Sequence, residues 1–76
     1  MSNIIVYTTK TCAFCKEVVR FLGHKNKKYT LKDVTEDVET RKWLYEMTGY
    51  QTVPVTQVGD KFVVGPQLGK IAELLQ

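Results

Sequence analysis

Ile4-Ile5-Val6-Tyr7 is a short β-branched and aromatic run, and the polar stretch Thr8-Thr9-Lys10-Thr11 stops it, so the chain opens on a buried strand. The apolar period then changes from 2 to about 3.6. Cys15, Val18, Val19 and Leu22 fall at i, i+3, i+4 and i+7, one apolar stripe of a helix capped by Thr11 and ended near Gly23. Tyr29 to Val34 alternates apolar and polar residues, a second strand reached by a crossover long enough to lie parallel to the first. This is a βαβ unit.

Thr35 is the expected cap of a second helix, with Glu36, Asp37 and Glu39 at its positive end and Thr40, Trp43, Leu44 and Met47 on its inner face. Gly49 closes it. Val53-Pro54-Val55 begins a third strand that runs to about Val58, and Gly59-Asp60 turns it into a fourth, Lys61 to Val64, as an antiparallel hairpin. Pro66 suits the first turn of a last helix with Leu68, Ile71, Ala72 and Leu75 on one face. The order βαβαββα predicts an α/β three-layer fold, a four-stranded mixed sheet with three helices.

Seventy-six residues allow one core, so positions 1–76 read as a single domain. With 43% hydrophobic and 25% charged residues, the chain is an ordinary globule rather than a disordered or fibrous one. The net charge of +3 comes from 11 Lys and Arg diluted by 8 Asp and Glu, which does not point to nucleic acid. The basic stretch His24-Lys25-Asn26-Lys27-Lys28 reads as a solvated helix end; its use as a protein-binding surface is the non-enzymatic alternative. The start of the chain lacks a basic flank followed by a long apolar run, and no stretch approaches the length of a membrane span. A cytoplasmic protein with no membrane contact is the expectation. Two cysteines make at most one disulfide, too few for a secreted scaffold and suited to a reducing compartment.

Those cysteines stand as Cys12-Ala13-Phe14-Cys15, where the first strand hands over to the first helix. On a helical turn, positions i and i+3 lie roughly 5–6 Å apart at Cα, so a disulfide opens and closes there with little backbone movement. Cys12, expected in the first helical turn, gains from unpaired N–H groups, the helix dipole and the nearby Lys10, all of which favour a thiolate and a nucleophile. Cys15 shares the stripe of Val18 and Leu22 and should be more buried, which suits a thiol that attacks second. Zinc would need three or four ligands, and outside the pair the chain offers only His24 and carboxylates in no paired motif, so no metal is expected. A cysteine hydrolase needs a base, but His24 lies about 18 Å along the helix axis from its start. Two inert buried cysteines are the plain alternative.

Tyr7-Thr8-Thr9-Lys10-Thr11-Cys12-Ala13-Phe14-Cys15-Lys16, followed by Met47-Thr48-Gly49-Tyr50-Gln51-Thr52-Val53-Pro54, resembles the glutaredoxins of the thioredoxin superfamily. The resemblance covers nearly the whole chain and implies a thioredoxin-like fold with a cis bond before Pro54. It also implies a thiol-disulfide oxidoreductase in which Cys12 and Cys15 reduce protein disulfides or glutathione mixed disulfides and glutathione restores the dithiol; a monomer with no bound cofactor is the expectation, and an iron–sulfur cluster held through Cys12 at a dimer, as in some glutaredoxins, is the alternative. It places Lys10 and Arg41 at the glycine carboxylate of glutathione, Phe14 beside the groove, and Thr52, Val53 and Pro54 along the peptide part. Gly65 and Gln67 fall at the γ-glutamyl end.

This chain departs from the family in two places. Ala13 stands where a Pro usually follows the first cysteine, and Val64-Gly65-Pro66-Gln67 replaces a Gly-Gly-x-(Asp/Ser) pattern, so that Pro66 offers no N–H to the γ-glutamyl group. Gly49-Tyr50-x-x-Val53-Pro54-Val55 and Gly59-Asp60 also resemble NrdH-type redoxins. That likeness implies thioredoxin reductase as reductant and ribonucleotide reductase as recipient.

Overall fold

In the computed structural model, which describes residues 3–50 and 52–75, the elements follow the expected order: β1 (Ile4–Thr8), α1 (Phe14–His24), β2 (Thr30–Asp33), α2 (Val38–Thr48), β3 (Val55–Val58), β4 (Lys61–Val64) and α3 (Leu68–Leu74). Gln51, part of the second quoted motif, lies outside the described residues. The strands form one sheet in the order β2-β1-β3-β4. β1 runs parallel to β2 and antiparallel to β3, and β3 pairs antiparallel with β4. The mixed sheet and the thioredoxin-like arrangement therefore stand as the sequence predicts.

The period of 2 along each strand divides the side chains between two cores. Ile4, Val6, Val58 and Val63 face Val18 and Leu22 of α1 and Ile71 of α3. Tyr7 and Val55 face the opposite way, toward Val34 and Leu44 of α2. Helices thus cover both faces of the sheet and complete three layers. The hydroxyl of Tyr7 donates to Gln57 Oε1 at 2.8 Å, and burial raises its pKa above the ordinary value. No described helix is long and apolar enough to cross a membrane.

Several boundaries differ from the sequence reading. Thr11 does not cap α1; the helix starts after Ala13, which offers no side-chain hydrogen bond. Gly23 lies inside α1, and the left-handed conformation that ends the turn falls to Asn26, at φ 55°. β2 is an edge strand exposed along all four residues; Tyr29 and Val34, at the ends of the expected strand, do the packing. β3 begins at Val55, because Pro54 has no N–H for the ladder. Pro66 precedes α3, whose N-cap is Gln67.

The cap of α2 is Asp37, not Thr35. Its carboxylate accepts the Thr40 N–H at 3.1 Å and the Thr40 hydroxyl at 2.7 Å, which together hold its pKa below the ordinary value. Gly49 does close the helix, in the left-handed region at φ 80°. Of the expected inner face only Leu44 is buried; Thr40 is half-buried, Met47 is exposed, and Trp43 is 39% exposed, its ring tilted against Tyr7 and edge-on to Phe62. A four-residue apolar stripe was too wide, because one helix covers this sheet face and leaves its flanks open.

Asp37→Ala is expected to lower the melting temperature at neutral pH. A carboxyl whose pKa is depressed by folding contributes stability above its unfolded pKa and loses it as pH falls through the folded value. The gap between the two proteins should therefore close as pH drops below the ordinary aspartate pKa of 3.8, as thermal melts across pH would read. An unchanged gap at acid pH would contradict this cap.

Candidate active site

β1 ends at Thr8 and α1 starts at Phe14, so Cys12 sits in the connecting turn, just ahead of the first helical residue rather than within the first turn. The Cys12 N–H donates to the Thr9 carbonyl at 3.3 Å. The Cys15 N–H, one of the donors a helix start leaves unpaired, donates to Cys12 Sγ at 3.3 Å. The two cysteines form a disulfide with Cα atoms 5.5 Å apart, within the range the bond tolerates. Cys12 is half-buried, whereas Cys15, on the buried face of α1, is 4% exposed. The helix supplies a donor to the outer sulfur and a dry setting for the inner one.

A cleft of about 420 Å³ is lined by Thr9 of the cysteine turn, Val38, Arg41 and Tyr45 of α2, and Thr52 and Val53 ahead of β3. The Val53–Pro54 bond is cis, and Pro54 is buried. Arg41, Thr52 and Val53 thus share one cleft. Lys10 lines a separate depression with Asp33, Thr35, Glu36 and Asp37. Phe14 is exposed at the first position of α1. Gly65, at φ 81°, has its N–H engaged by the Pro54 carbonyl at 2.7 Å. The Gln67 side-chain amide donates to the Val64 carbonyl at 2.7 Å.

Sequence reasoning missed Tyr45 and Tyr50, which also line the cleft. Tyr45 follows Arg41 by four residues, a spacing that shares a helix face and would have found it. It also missed Asp33 and Thr35, whose Asp-x-Thr spacing is a local hydrogen-bonding pattern. Two donors from Thr35, its hydroxyl at 2.6 Å and its N–H at 2.8 Å, lower the Asp33 pKa. Among the described residues no three His, Cys, Asp or Glu side chains gather where they could share a metal ion.

Residues 4–63 match the family model described as glutaredoxin. An uncharacterized glutaredoxin-like 8.6 kDa protein of Clostridium pasteurianum, encoded in a rubredoxin operon, is 27% identical over 73 residues, 96% of this chain and 97% of its own length. The crystal structure of a glutaredoxin from Archaeoglobus fulgidus superposes with a TM-score of 0.88 at 26% identity, covering 100% of this chain and 88% of that one. The glutaredoxin-like NrdH-redoxin of Escherichia coli superposes with a TM-score of 0.84 at 24% identity over 95% and 93% of the two chains, a likeness of fold alone.

Proposed function

Because the chain belongs to the glutaredoxin family, a family of redox proteins, we propose that it is a dithiol oxidoreductase whose nucleophile is Cys12, whose resolving thiol is Cys15 and whose reductant is glutathione. The observation that carries this reading is the asymmetry of the pair across the helix start: a half-buried Cys12 whose sulfur accepts the Cys15 N–H, and a Cys15 buried on the inner face of α1. The Cys12 thiolate attacks one sulfur of a substrate disulfide, forming a mixed disulfide and releasing the other sulfur as a thiolate that takes up a proton. Cys15 then gives up its proton and attacks the Cys12 sulfur, which frees the second substrate thiol and leaves the Cys12–Cys15 disulfide. Two electrons have passed to the substrate. Two glutathione molecules return them, one attacking Cys12 and the second attacking the resulting mixed disulfide, with oxidised glutathione as product.

Neither cysteine lines the cleft, which reaches the cysteine turn at Thr9 and there suits the peptide part of such a substrate. Arg41 supplies a cation for a carboxylate, and Val53 lines the same cleft as Thr9 of the cysteine turn. A second reading has one observation in its favour. With the Gly65 N–H engaged by Pro54 and no N–H on Pro66, this end of the groove has fewer donors for a γ-glutamyl group, which favours reduction by thioredoxin reductase. Offering the oxidised protein reduced glutathione, and separately thioredoxin reductase with its nicotinamide cofactor, separates the two. Reduction of the Cys12–Cys15 disulfide by glutathione is expected; reduction by the enzyme alone overturns that assignment in favour of an NrdH-type electron donor.

A further inference from the structure

The turn that carries Cys12 has few restraints of its own. Ala13 gives the start of α1 no side-chain hydrogen bond, and the turn closes on itself through the Cys12 N–H to Thr9 bond at 3.3 Å. Among the described residues, two side chains from outside reach the backbone of residues 9–13: that of the adjacent Thr8, whose hydroxyl donates to the Thr9 carbonyl at 3.2 Å, and, from across the sheet, that of Thr35, whose Oγ1 accepts the Lys10 N–H at 2.9 Å. A hydroxyl carries a single proton, and Thr35 gives its own to Asp33 Oδ1 at 2.6 Å. The Thr35 N–H donates to the same oxygen at 2.8 Å. Ionised at neutral pH, Asp33 offers acceptors alone, and these two donors lower its pKa further below the ordinary value. A lone pair of Thr35, rather than its proton, is therefore turned toward Lys10. The charged groups around the pair are Lys10 on the cysteine turn and Glu36 and Asp37 ahead of α2, which line the same depression.

We propose that Asp33 and Thr35 are positioning residues for Cys12: the carboxylate orients the hydroxyl, the hydroxyl pins the Lys10 amide, and the pinned turn holds the Cys12 sulfur in reach of the Cys15 N–H. The proposal rests on the reading of Cys12 as the nucleophile. Lys10 is two residues from Cys12, so freeing its amide loosens the turn beside the sulfur. A sulfur that strays from the Cys15 N–H loses a donor that favours its thiolate. Neither positioning side chain needs to touch the substrate.

The test is alkylation of the reduced protein by iodoacetamide across pH, with the modified cysteine identified by mass spectrometry. In the parent, Cys12 should react faster than Cys15; no such preference would overturn the nucleophile assignment and this proposal with it. Thr35→Val and Thr35→Ala remove the hydroxyl and leave every charge in place. Each should raise the pH midpoint of Cys12 alkylation by about 0.5–1 unit and slow the neutral-pH rate about three- to tenfold. Thr35→Ser should restore the parent midpoint. Circular dichroism checks that each variant is folded. A parent-like midpoint in folded Thr35→Val and Thr35→Ala, even with a lowered melting temperature, would assign Thr35 a purely structural role and overturn the proposal. So would a Thr35→Ser midpoint displaced as far as that of Thr35→Val.

Discussion

Cys12→Ser is expected to lose exchange with every disulfide substrate, a fall of at least about a hundredfold, because the hydroxyl that replaces the thiol does not ionise at neutral pH and a thiolate is the attacking species. Cys15→Ser should divide the activity instead. Removal of glutathione from a mixed disulfide needs only one thiolate: Cys12 takes up the glutathione sulfur, and a second glutathione releases it. Reduction of a protein disulfide needs the second thiol, so Cys15→Ser should accumulate the Cys12–substrate mixed disulfide, visible as a mass adduct that reductant removes. The structural basis is that Cys12 is only half-buried, while Cys15 is 4% exposed. Accumulation of the adduct on Cys15 in Cys12→Ser, at the rate seen on Cys12 in Cys15→Ser, would reverse the assigned order.

The largest effect on stability is expected from Leu22→Ala. Leu22, in the last turn of α1, is fully buried in the core that Val6, Val18 and Ile71 share. Truncating such a side chain removes its transfer free energy and leaves a cavity, a loss of about 2–5 kcal/mol. A domain of this length has roughly 4–11 kcal/mol in total at about 0.05–0.15 kcal/mol per residue. Leu22→Ala should therefore lose a large fraction of the whole, read as a lower denaturant midpoint with an unchanged slope. Met47→Ala supplies the contrast: on the exposed side of α2, it should change stability by less than about 0.5 kcal/mol. Similar losses in the two variants would contradict the division between buried and exposed positions described above.

The contrast between these positions shows what was legible in the chain. In α1 the expected stripe is buried at Cys15, Val18 and Leu22 and half-buried at Val19, because two helices pack side by side on that sheet face and most of the stripe is needed. In α2 the same reasoning assigns Trp43 and Met47 to the interior, but that helix lies alone on its face and buries Leu44. Periodicity reports which residues share a side of a helix; it carries no information on how much of that side a neighbour covers. The caps follow the same rule. Thr11, Thr35 and Asp37 are all chemically able to cap a helix, and only the path of the chain selects Asp37 for α2 and gives Thr35 to the cysteine turn.

The candidate site divides in the same manner. The amino-acid sequence alone determined the redox pair: two cysteines at i and i+3 at a strand-to-helix junction have their spacing and chemistry written in four consecutive residues. Element order and strand directions were legible too, because they follow from local periods and from connection lengths. Tertiary structure decided what surrounds the pair. Arg41, Thr52 and Val53 share a cleft, Lys10 faces a different depression, and the Gly65 N–H is engaged by Pro54. Asp33 and Thr35 reach the turn from the far end of a crossover, through a hydrogen bond that spans 25 positions. A contact of that range depends on how β1 and β2 align, and no local pattern of polar and apolar residues encodes that register to within one hydrogen bond.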